Sequence, residues 1–156
     1  MDYTELDSST CSVARTAALI GDAWTVLVLR DLFNGVRRFD DLAGHLGIAR
    51  NVLTRRLATL VDAGLARRVP YREPGRRERH EYQLTDAGRE LRPVVLAMLD
   101  WGDRHLAGEA GPPLRIEHPE CGGAVHVELR CENGHPLTPD TRLHAVPGPG
   151  ARRHAG

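Results

Sequence analysis

Apolar residues recur at helical spacing through most of the first hundred positions of this chain, and that order fades afterwards. Val13, Ala17 and Ile20 predict a helix from Cys11 to Ile20, with Ser9 or Thr10 available to cap it and Gly21 to end it. Asp22 is suited to cap the next helix, in which Trp24, Leu27, Val28 and Leu32 fall at i, i+3, i+4 and i+8. Val26, Leu29 and Phe33 fill its other side, so this helix is expected at the centre of the core, ending at Asn34-Gly35.

Phe39, Leu42, Ala43 and Leu46 repeat the spacing over a shorter stretch, and Leu53, Leu57, Leu60, Val61 and Gly64 mark the buried stripe of another. Only Gly47-Ile48-Ala49 separates them, which is the pattern of a helix-turn-helix. Leu65 to Pro70 then reads as a strand and Tyr71 to Arg79 as a polar loop turning at Pro74-Gly75. His80 to Leu84 alternates as a half-buried second strand. Thr85 is expected to cap a long helix reaching about Leu106, kinked at Pro93.

From Ala107 onward the texture changes to Gly108, Gly111, Pro112 and Pro113, then to a segment with two candidate strands, of which Ala124 to Cys131 is the clearer. The prediction is a mainly α fold with a small β wing: a winged helix-turn-helix with a short C-terminal extension. Residues 1–10 form an N-terminal arm, 11–106 the winged helix-turn-helix with its dimerisation helices, and 107–146 the extension. Residues 147–156 read as a Pro/Gly-rich tail too poor in apolar residues to order itself.

Charge sharpens this picture once it is placed along the chain. The formal net charge is zero, yet residues 37–79 carry eleven Arg against five acids, a net of +6, with a net of −3 on either side. Binding to a polyanion depends on that local field rather than on the total. Every basic residue other than histidine is Arg, so each phosphate or base contact would come from a guanidinium.

On the second helix of the pair, Asn51, Arg55, Ala58 and Asp62 lie opposite the core stripe, with Arg50, Thr54 and Arg56 on the flanks near its start. A recognition helix enters the major groove by its N-terminal residues. Arg reads guanine O6/N7 and Asn reads adenine N6/N7, so Arg55 and Asn51 are the candidates for base edges, with Thr54 and Arg50 beside them. Arg72, Arg76, Arg77 and Arg79 surround the Pro-Gly turn and would grip phosphates or a minor groove, and Arg38 joins the DNA-contacting set.

A set of motifs then resembles the HxlR family of bacterial regulators: Cys11-Ser-Val-Ala, Gly21-Asp-Ala-Trp-Thr-Val-Leu-Val-Leu-Arg30-Asp-Leu-Phe, Arg38-Phe-Asp-Asp-Leu, Leu53-Thr-Arg-Arg-Leu, Gly64-Leu, His80-Glu-Tyr-Gln-Leu-Thr and Trp101. The resemblance covers roughly residues 11–106. It implies a winged-helix homodimer, assembled through the first and last long helices, that binds a palindromic operator in double-stranded DNA. Ala49 departs from the family, which often places a capping Ser there. Dimerisation has support from the residues too. Leu91, Val94, Val95, Met98, Leu99, Trp101 and Leu106 make an apolar face wider than one small domain covers.

Three candidate sensing features accompany this reading. Cys11, near a helix start and one turn before Arg15, is placed where a thiol can be reactive or simply buried, and some family members respond to oxidants through a similar position. Trp24, Met98, Trp101 and His105 could line an apolar pocket for a small-molecule effector, or be plain core. His118-x2-Cys121 and Cys131-x3-His135 form a two-thiol, two-imidazole set suited to structural zinc, with His126 between them as a substitute ligand. No other cofactor is expected.

The scattered carboxylates and histidines offer no nucleophile–base pair, and there is no phosphate-binding glycine loop, so an enzyme is not expected. Met1 to Thr10 lacks an apolar signal-peptide core and no apolar run reaches a membrane span, so a cytoplasmic location and no membrane partner are expected. The sequence-based function is a double-stranded DNA-binding transcriptional regulator, a repressor acting as a homodimer under a redox or small-molecule signal. The alternative is a zinc-binding protein-interaction module without sequence-specific DNA binding.

Overall fold

The computed structural model describes residues 3–153. They form two units: a first one up to Arg89 that takes in the chain from Leu143 onward, and a second one, Glu90–Arg142.

The first unit is built on four helices and a hairpin: α1 (Ser12–Ile20), α2 (Ala23–Phe33), α3 (Phe39–Leu46), α4 (Arg50–Asp62), β1 (Ala66–Tyr71) and β2 (Arg79–Leu84), closed by a single turn, α5 (Asp86–Arg89). Asp22 caps α2 as its sequence position suggested, accepting from the backbone N–H of Trp24 and Thr25. Val28 and Leu29 of α2, Leu42 of α3 and Leu53, Leu57 and Leu60 of α4 are fully buried and form the core. At 25–30 cal/mol per Å² of apolar surface, each such Leu contributes about 1.5–3 kcal/mol to holding the helices together. α1 meets α2 at an 82° bend across Gly21-Asp22. Among the described residues no single helix is long and apolar enough to cross a membrane.

The buried face of α2 is less uniformly apolar than expected, because it includes Thr25 and Asp31. Asp31 is satisfied where it lies. Arg30 donates to one carboxylate oxygen from Nε and Nη2, and Nδ1 of His45 on α3 sits 2.6 Å from the other. The pairing fixes the first helix of the helix-turn-helix against the core helix.

β1 and β2 pair antiparallel from Ala66↔Leu84 to Tyr71↔Arg79, one residue longer at the tip than expected. Arg37 and Arg38 add a short third edge, with the Arg37 carbonyl accepting from Tyr82 N–H and Arg38 bridged to Glu81. Gly75 turns the tip with φ +73°.

The long helix expected from Thr85 to Leu106 is instead two. Thr85 caps α5, its Oγ1 accepting from Gly88 N–H and donating to the Gly64 carbonyl. The chain then restarts at Leu91 as α6 (Arg92–His105). Pro93 sits in the first turn of α6, where no intrahelical N–H is needed, so it begins a helix rather than kinking one.

In the second unit, α6 is followed by two small hairpins. A bridge at Glu117↔Ala124 frames the first, and β3 (Leu129–Arg130) pairs with β4 (Pro136–Leu137) in the second. The strand expected over Ala124 to Cys131 shrinks to β3, because no core imposes alternation: from Glu90 to Arg142 no residue is buried.

Residues 147–153, read from the sequence as part of a disordered tail, carry a turn in which Ala151 N–H donates to the Gly148 carbonyl. They pair with the N-terminal arm at Leu6↔Arg153. The last three positions of that tail lie outside the described residues.

Candidate nucleic-acid interface

The start of α4 is the centre of the site. Its core stripe turns Asn51, Thr54, Arg55, Ala58 and Asp62 outward, and all five are exposed. Thr54 Oγ1 donates back to the Arg50 carbonyl, leaving the hydroxyl oxygen facing out. Ala49 occupies the N-cap position in extended geometry and provides no side-chain acceptor; the Val52 N–H donates instead to Asn51 Oδ1 at 2.9 Å, leaving the Arg50 and Asn51 N–H groups open at the end that would approach DNA.

Arg50 stacks over the Phe39 ring with 4.6 Å to its centroid and donates to Asp40 Oδ1 at 2.8 Å. Arg79, the first residue of β2, reaches the other Asp40 oxygen at 3.5 Å. The Arg50 hydrogen bond, supported by the charges of Arg50 and Arg79, holds the Asp40 carboxyl below its usual range. An open cleft of about 420 Å³ results between the helix-turn-helix and the wing, lined by Asp40, Arg50, Arg68, Arg79 and His80 with three aromatic rings.

A second acid plays a similar part nearer the tip. Glu73 accepts from Arg38 at 2.8 Å and lies 3.7 Å from Arg76, while the Arg38 guanidinium covers the Tyr71 ring. Arg72 and Arg77 are exposed and form no ion pair among the described residues. The wing therefore carries two kinds of Arg, some pre-oriented by an acid and some free to reach.

Arg56 departs from the expected set. It is half-buried, and its Nη2 donates to Asp22 Oδ2 at 2.9 Å, so it ties α4 to the start of α2 instead of projecting with Asn51 and Arg55. Its Nε is buried without a partner. Asp40 and Glu73 are the residues of this candidate site that sequence reasoning missed. Asp40 and Glu73 lie inside the Arg-rich segment, which was the available signal, but their pairings depend on the fold.

A helix-turn-helix followed by a basic two-stranded wing has a match among known proteins: the model of the HxlR-like helix-turn-helix family fits residues 19–110. The chain belongs to this family. An HTH-type transcriptional regulator of Mycobacterium tuberculosis (strain ATCC 25618 / H37Rv) is 44% identical over 140 residues, covering 89% of this chain and 87% of that one. Among solved structures, the transcription factor PA1607 is similar with a TM-score of 0.75 and 36% identity, covering 87% of this chain and 95% of that one. The reduced form of the redox regulator HypR matches with a TM-score of 0.52 and 28% identity over 60% of this chain and 94% of that one. As an HxlR-like protein the chain is a transcriptional regulator with a winged helix-turn-helix.

The candidate sensing residues of this HxlR-like chain are only partly brought together. Cys11 is half-buried at the N-cap position of α1. Trp101 and His105 stack on α6 with ring centroids 4.8 Å apart, Met98 is exposed on the same helix, and Trp24 is half-buried on α2 in the other unit. His118 Nδ1 lies 3.3 Å from Cys121 Sγ, and Cys131 Sγ lies 3.5 Å from His135 Nδ1. Among the described residues, no three His, Cys, Asp or Glu side chains gather at one point.

Proposed function

We propose that the chain is a homodimeric repressor that reads a palindromic operator with the first two turns of α4 and grips the flanking backbone with its wing. The observation that carries this reading is the outward row Asn51, Thr54 and Arg55 beside the cleft where Arg50, Arg68 and Arg79 converge. The helix row offers donors and acceptors to base edges, and the cleft and wing offer guanidinium groups to phosphates.

Dimerisation is supported by apolar side chains left in solvent on two helices. Val13 on α1 is 77% exposed, and on α6 Met98 and Trp101 are each more than half exposed. An isologous pairing would cover them and would place two recognition helices about 34–36 Å apart, one turn of the duplex. Repression follows from occupancy, since a dimer seated on a promoter excludes polymerase from the same duplex.

The input signal in this reading is oxidation of Cys11 or an apolar effector at α6. Support for the thiol comes from its place at the start of an exposed helix and from the likeness to HypR, a redox regulator.

The test is a mass measurement in solution together with an anisotropy titration of a selected duplex. A two-chain particle is expected, whose affinity falls steeply with salt. Changing Arg72 and Arg77 to Ala is expected to weaken binding to all duplexes alike and to lower the salt slope by about 2. A monomer indifferent to salt would refute the reading.

A further inference from the structure

The two His–Cys pairs of the second unit are unused by DNA recognition, and their surroundings are alike. His118 and Cys121 sit on a turn framed by the Glu117↔Ala124 bridge, with His118 N–H donating to the Gly123 carbonyl. Cys131 and His135 sit on a turn framed by β3 and β4, with Cys131 N–H donating to the His135 carbonyl. Each turn is closed by a left-handed glycine, Gly122 at φ +68° and Gly134 at φ +81°. Each thus holds one sulfur and one imidazole nitrogen side by side.

The spacing within the pairs has a chemical meaning. A tetrahedral zinc with bonds of about 2.3 Å to sulfur and about 2.0–2.1 Å to nitrogen has its S and N ligands roughly 3.6 Å apart. The observed separations of 3.3 and 3.5 Å are close to that edge. Each turn is a preformed two-point clip, and the hairpins are linked by only Val125 to Glu128, so both belong to one short tethered stretch.

A second observation is independent of the ligands. The second unit has no buried residue anywhere between Glu90 and Arg142, and its two strands are two residues each. A segment this small without a hydrophobic core needs another staple, and a metal ion is one of the few available. The likeness to the mycobacterial regulator covers 140 residues, beyond the span 19–110 of the family model.

We propose that His118, Cys121, Cys131 and His135 close together on one zinc ion per chain, making the C-terminal extension a metal-stapled module. Binding deprotonates the two thiols, so two protons pass to solvent and the two thiolates neutralise the ion's charge. No three of these side chains are gathered in the structure, so the two clips would close on each other around the ion.

The test is cobalt titration of the full-length, chelator-treated chain, followed by absorption spectroscopy and zinc competition. Saturation at one cobalt per chain is expected, with tetrahedral d–d bands and thiolate charge-transfer absorption that zinc abolishes. Cys121→Ser and Cys131→Ser should each remove most of the spectrum, whereas Cys11→Ser should leave it intact; circular dichroism on each variant shows whether its helices are retained. His118→Ala and His135→Ala give a second pair, expected to shift the bands toward weaker, water-completed coordination. Octahedral spectra, two independent ions per chain, or bands that survive both Cys121→Ser and Cys131→Ser would overturn the proposal.

Discussion

Asp22 Oδ2 accepts from Nη2 of Arg56 at 2.9 Å, joining the cap of the core helix α2 to the recognition helix α4. Neighbouring residues Arg55 and Arg56 therefore differ in setting, one exposed and one half-buried. Arg55→Ala is expected to weaken binding to the preferred duplex by about 1–3 kcal/mol, roughly 5- to 150-fold, with the melting temperature unchanged. Arg56→Ala should instead lower stability by about 1–2 kcal/mol while leaving base preference intact well below the melting point. Thermal melts and anisotropy titrations on the two variants separate these outcomes.

Asp40 occupies the guanidinium groups of Arg50 and Arg79 that would otherwise face phosphate. Asp40→Asn should tighten binding to any duplex about two- to ten-fold, because it frees two guanidinium groups that exposed ion pairs hold only weakly. The salt slope should steepen, and the preference among sequences should change little. The sign of the pH effect follows from the depressed carboxyl: its contribution is present above its ordinary value of 3.8 and is lost only as pH falls through the lower, folded value. Asp40 is thus expected to add no pH dependence to DNA binding between about pH 6 and 8.

Ala49 has N-cap backbone geometry, φ −60° and ψ 133°, but no side-chain acceptor. Ala49→Ser would give the Asn51 N–H a partner, or take over Val52 N–H from Asn51 Oδ1, and stabilise the protein by about 1 kcal/mol. A rise of roughly 2–4 °C in melting temperature is the expected reading for a chain of this size. An unchanged melt would mean that the α4 start is already satisfied.

Gly88 is buried where α5 passes over the start of β1, and a Cβ there would lie 2.0 Å from the Leu65 carbonyl oxygen. Gly88→Ala must push α5 off that contact, at a cost of about 1–3 kcal/mol or more. Chemical denaturation should show a lower midpoint, with the slope kept if the transition stays two-state.

Much of the first unit was legible because two signals agreed there. Leu53, Leu57 and Leu60 repeat at helical spacing, and Gly47 and Gly64 punctuate the helices with left-handed turns. The exposed row of Asn51 and Arg55 followed from the same periodicity. Arg56 was not legible, since its partner lies 34 residues away and only the packing of α4 on α2 brings them together. Pro93 was misread because the apolar spacing runs on past Thr85, whereas the helix is interrupted after Arg89 and begins again at Arg92. In the extension, Val125 and Leu129 look like strand residues, but with no facing core they stay exposed.

Selection of bound sequences from a random duplex library, followed by mass measurement of the complex, tests the central claim most directly. The account predicts an enriched inverted repeat, with half-sites about 10–10.5 base pairs apart, bound by two chains at least about 10³-fold more tightly than unselected duplex. Recovery of no common sequence, or of a single unrepeated site held by one chain, would contradict it.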